Sequence, residues 1–110
     1  MNSVFRKLIS ERDFEKQARH FFASLENSNT DYLYVFSLDR DNPCLMIDFD
    51  NCRQLSRITM SESGQCDIEV VSFKDSAQLI HESYELRSLG EFEDKLLSLI
   101  AYMKASETLH

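Results

Sequence analysis

Two aspartates, Asp48 and Asp50, stand two residues apart in "LMIDFDNC" at 45–52, and Asp39 and Asp41 repeat that spacing in "DRDN" just upstream. A D-x-D pair can hold Mg2+ when further carboxylates or a phosphate complete the shell, and "DRDN" resembles the opening of a calcium loop. That loop needs glycine at its sixth position and glutamate at its twelfth, where Cys44 and Asp50 stand instead. No metal site is expected.

Nucleophilic chemistry is no better served. The two glycines, Gly64 and Gly90, cannot make a P-loop or a dinucleotide fingerprint, and His20, His81 and His110 have no zinc-protease spacing. Cys52 with His81 is a nucleophile and base that only the fold could assemble, whereas small cysteines in strands ordinarily serve as packing residues. The expectation is a protein that is not an enzyme and takes no cofactor.

The elements that position these residues can be read from periodicity. Phe14, Ala18, Phe21, Phe22 and Leu25 line one face of a helix over 11–26. Val4, Phe5, Leu8 and Ile9 are helical in period but out of phase with it, so a kink or split is expected near Ser10. "YLYVFSL" at 32–38, "CLMIDFD" at 44–50, "QLSRITMS" at 54–61 and "CDIEVVSF" at 66–73 read as strands joined by turns. The stretch 77–86 suits a helix or a fifth strand, and the short "KDS" link before it favours the strand. In "SLGEFEDKLLSLIAYMK" at 88–104, Ser88 and Glu91 have the spacing of a capping box, and Phe92, Leu96, Leu99, Ile100 and Met103 share a face. The fold class expected is α+β: a single domain over 1–110 with an N-terminal helix, an antiparallel meander of four or five strands and a C-terminal helix.

Alternation along the strands sends Leu45, Ile47, Phe49, Ile68 and Val70 inward, and Asp48, Asp50, Asp67 and Glu69 outward. Arg57, on the strand between Asp48 and Glu69, is a cross-strand partner for either, so the acids can be read as a solvated sheet face. The charge is nonetheless uneven. The chain carries −7, with 19 acids against 12 bases, and the sheet region 27–75 alone holds nine acids against four bases. With both helices on one face, the other presents an acidic patch, with Tyr34 as an aromatic anchor and Asp39 and Asp41 extending it. Such a surface repels phosphate backbones and anionic membranes and steers a cationic protein.

Three cysteines without a C-x-x-C pair, and an N-terminus without a long apolar run, lead to an expectation of reduced thiols in a cytoplasmic protein. No window approaches the roughly 18 apolar residues needed to cross a bilayer.

The chain's size, the strand pair "YLYVFSLDRDNPCLMIDFD" and the closing "HESYELRSLGEFEDKLLSLIAYM" resemble the small acidic immunity proteins of contact-dependent inhibition and related polymorphic toxin systems, in particular the TriTu type. The resemblance implies a protein that binds a cognate toxin C-terminal domain, with a nuclease expected, as a monomer in a 1:1 complex, and occludes its basic cleft. The alternative is a small acidic secretion chaperone, usually dimeric, that wraps an extended segment of an effector.

Overall fold

A computed structural model describes residues 11–37 and 43–107. Asp39 and Asp41, the region of the expected kink at Ser10, and most of the turn at 39–43 lie outside the described residues.

The aromatic periodicity near the N-terminus produces helix α1, Glu11–Phe22, which tightens into a 3-10 turn at Ala23–Leu25. Phe14 is wholly buried and Phe21, Phe22 and Leu25 nearly so. Phe14 meets the rings of Tyr34 and Phe36 at 4.8 and 5.8 Å, and Phe22 stacks on Tyr32 at 4.0 Å. The helix is thereby fixed over the first strand. Burying one phenylalanine contributes about 2–3 kcal/mol, so this aromatic set supplies much of the helix's docking energy.

Five strands follow in sequence order: β1 Asp31–Ser37, β2 Cys44–Asp50, β3 Gln54–Ser61, β4 Gln65–Ser72 and β5 Gln78–Glu85. Each pairs antiparallel with its chain neighbour, so the sheet order is β1-β2-β3-β4-β5. The fifth strand expected at 77–86 is therefore present. The β3–β4 reversal places Gly64 at φ 95°, a conformation that disfavours any residue with a Cβ. Between β4 and β5 the register shifts at Val70/Val71, because Val70 opposes Ile80 while Val71 opposes Gln78, and Leu79 is the extra residue.

Helix α2, Leu89–Ser106, begins at Ser88, whose Oγ accepts the Glu91 backbone N–H at 3.2 Å. The Glu91 carboxylate reaches the Arg87 N–H at 3.4 Å, one residue before the donor that a full capping box uses. Phe92, Leu96, Leu99, Ile100 and Met103 form the buried stripe expected from their spacing, and the helix packs against α1, β2 and β3. Leu45, Ile47, Phe49, Ile58, Met60, Cys66, Ile68 and Val70 complete a continuous core from the sheet side. The architecture is the α+β arrangement of helix, antiparallel meander and helix.

Among the described buried polar residues, one strand position lacks a partner. Ser56 is 1% exposed and its Oγ has no hydrogen-bond partner. Since an unpaired buried hydroxyl forfeits its hydration, Ser56→Ala should leave stability unchanged or raise it by up to about 1 kcal/mol. Denaturant melts check this, and a clear loss of stability would mean the hydroxyl is bonded after all.

Candidate functional site

The two described helices lie on one side of the sheet, and among the described residues the alternate residues of all five strands form the face that they leave uncovered. Pairing registers arrange that face in rows across the strands. One row runs Leu33, Asp48, Arg57, Glu69, His81, and the next runs Val35, Met46, Thr59, Asp67, Ser83. On the other side of the charged row come Asp31, Asp50, Leu55 and Val71. Among the described residues, the face carries six carboxylates, those of Asp31, Asp48, Asp50, Asp67, Glu69 and Glu85, against the guanidinium of Arg57 and the imidazole of His81.

The carboxylates are not equivalent. Asp48 takes a two-pronged contact from Arg57, with Nε donating to Oδ1 at 2.7 Å and Nη2 to Oδ2 at 3.1 Å. That hydrogen bond, with the charge of Asp48 and a smaller contribution from Glu69, pushes the Arg57 pKa up. The Asp48 charge seen by an approaching partner is thus compensated on the protein itself, in the cross-strand manner that the sequence allowed. Asp67 accepts from the Ser83 hydroxyl at 2.7 Å and from Gln65 Nε2 at 3.2 Å, neutral donors that hold the carboxylate without cancelling its charge. Glu69 stands 3.9 Å from His81 Nε2. Asp50, Asp67 and Glu69 are therefore less compensated than Asp48.

The structure brings Asp48, Asp50, Asp67 and Glu69 together on one face. Tyr34 is not with them. It opposes Ile47, and so points to the helix side, where it packs half-buried against Phe14. The reason is the alternation within "YLYVF", which turns Tyr32, Tyr34 and Phe36 inward and leaves Leu33 and Val35, 64% and 48% exposed, beside the acids. The apolar contacts on the acidic face are thus aliphatic: Leu33, Val35, Leu55 and Leu79. Phasing β1 against β2 through the intervening turn would have found them.

A family model described as immunity protein TriTu matches residues 3–102, a span that includes α1, every strand and most of α2. The chain belongs to the TriTu immunity protein family. No curated protein matches it. Membership of the TriTu family makes the chain an immunity protein.

In this TriTu family member the cysteine chemistry is dispersed. Cys52 is exposed in the turn after β2, whereas His81 lies two strands beyond β3 and faces Glu69, so the two are not paired. Cys66 is buried in the core, where desolvation, reinforced by Asp67 and opposed by Lys95, pushes its thiol up to about 12. At about pH 8 a thiol reagent should modify Cys52 rapidly and Cys66 only as the chain opens, because the thiolate is the reactive species. Mass spectrometry of partially labelled folded protein checks the order, and equal rates would contradict the packing of Cys66. Among the described residues no three His, Cys, Asp or Glu side chains gather as metal ligands, and no helix is long and apolar enough to cross a membrane.

Proposed function

We propose that this TriTu family member neutralises a toxin C-terminal domain of nuclease activity by laying its uncovered sheet face over the toxin's basic cleft, as a monomer in a 1:1 complex in the cytoplasm. The observation that carries this reading is, among the described residues, the gathering of six carboxylates with one guanidinium against them on the sheet face opposite the two described helices. Carboxylates spaced across adjacent strands can take the places of backbone phosphates, and the exposed aliphatics around them supply the desolvated contacts that give a complex its lifetime. The family match favours this over the secretion-chaperone reading.

The test is to co-produce a cognate toxin domain with this chain, establish stoichiometry by light scattering, and measure association at two salt concentrations. Asp50→Asn with Glu69→Gln should slow association about tenfold at low salt and flatten its salt dependence, with dissociation changed less. A complex whose rates and salt slopes match those of the unmodified protein would move the interface away from the acidic face. An obligate dimer holding an unfolded client would return the chaperone reading.

A further inference from the structure

Beyond the row of Asp50, Leu55 and Val71, the turns after β2 and β4 and the end of α2 enclose a groove of about 530 Å³. Its electrostatics oppose those of the rest of the chain. Arg53 and Lys74 line it and no carboxylate does. Among the described residues neither cation has an ion pair, and Arg53 Nε is buried without an acceptor. Gln54, 8% exposed, also lines the groove. Its Nε2 donates to Tyr102 Oη at 3.2 Å, which leaves Oε1 buried without a donor. If the amide turns over, the tyrosine hydroxyl donates to Oε1 and the amide NH2 becomes a further unused donor. Phe73, 55% exposed, stands beside them.

Buried donors without acceptors are costly, and a ligand that supplies the acceptor recovers that cost. From this arrangement we infer that the groove is a second binding site, which accepts a carboxylate of the partner protein while Phe73 covers the stem of the group that bears it. The inference rests on the chain's binding a protein toxin, as proposed above. A guanidinium fork with an ammonium beside it takes planar oxyanions, and of these a single carboxylate is favoured, because a polyphosphate strand would be repelled by the acidic face alongside. Gln54 and Ser72 directly follow the face's end row along β3 and β4, so one partner can cover the acidic face and reach round into the groove.

Two measurements test this. In the first, the isotopically labelled full chain is titrated with N-acetylglutamate methylamide, with its neutral glutamine counterpart and with inorganic phosphate. Saturable shifts of the Arg53 Nε–H and of the Phe73 and Lys74 amides are expected with the carboxylate alone, and are expected to vanish in Arg53→Gln/Lys74→Gln. Absence of saturation up to about 100 mM, equal shifts with the neutral probe, or tighter saturation by phosphate would overturn the assignment. In the second, the double variant should bind the cognate toxin about tenfold more weakly, and affinity within about twofold of the unmodified chain would likewise overturn it. If the unmodified chain binds no toxin, the proposed function fails, and the titration alone decides the groove's chemistry.

Discussion

Glu69→Lys should weaken the complex with the cognate toxin by at least about 100-fold at low salt, because a like charge placed against a basic cleft costs several kcal/mol. The position is chosen by the geometry of its row. Glu69 lies between Arg57, already paired with Asp48, and His81, so a lysine there turns the centre of the face from acidic to basic. Its side chain is half exposed and makes no contact on which folding depends. Stability should accordingly change by no more than about 0.5 kcal/mol. The matched control is Glu15→Lys, which alters net charge by the same amount at an exposed position on α1, in the layer opposite the face. Long-range attraction alone would make the two variants alike. An interface on the sheet makes only Glu69→Lys severe, and comparable losses in both would sink the assignment.

The largest effect on folding is expected at a residue that touches nothing on that face. Asn51 is 4% exposed in the turn between β2 and β3, and its side chain makes four hydrogen bonds. Its Oδ1 accepts the backbone N–H groups of Arg53 and Gln54, both at 2.8 Å, and Nδ2 donates to Met103 O at 2.9 Å and Ser106 Oγ at 2.8 Å. One amide thus closes a hairpin and fastens it to the last turn of α2. Asn51→Ala leaves several of these groups buried and unmatched, and should cost about 3–4 kcal/mol by chemical denaturation. Asn51→Asp keeps the acceptor half but sets an anion against the Met103 carbonyl. Its deficit relative to the parent should be full at neutral pH and shrink as the pH falls and the carboxyl gains a proton. A loss under about 1 kcal/mol in the alanine variant would show that water replaces the side chain without penalty.

Most of the fold was legible because its signals are local. Phe14, Phe21 and Phe22 lie on one helical stripe, Asp48 and Asp50 alternate with Ile47 and Phe49, and each strand pairs with its neighbour in the chain. What escaped depends on relations between distant segments. Whether Tyr34 or Leu33 shares a face with Asp48 is decided by the β1–β2 register, which a one-residue slip would invert. The Asn51 clamp joins positions 51 and 106, and nothing in "DNCRQ" signals a buried amide. The unpaired Arg53 in the end groove escaped for a related reason, since the absence of an acceptor is a property of the assembled surroundings. Asp50, Asp67 and Glu69 could be found from alternation, but the muting of Asp48 by Arg57 required their geometry.

The order of the elements also governs how the chain can be made. Every strand after β1 pairs with one already synthesised, so the meander can close hairpin by hairpin with short loops and little entropy lost to each closure. The helix that shields β2 and β3 comes last, and until Phe92, Leu96, Leu99 and Ile100 have emerged from the ribosome, Leu45, Ile47, Ile58 and Met60 have no cover on that side. A nascent sheet of this kind would be apolar on the face that α2 later hides and acidic on the other. The uncompensated carboxylates would then repel neighbouring nascent chains during the interval in which the core face is bare, a contribution to solubility in translation that is separate from any role they have in the finished protein.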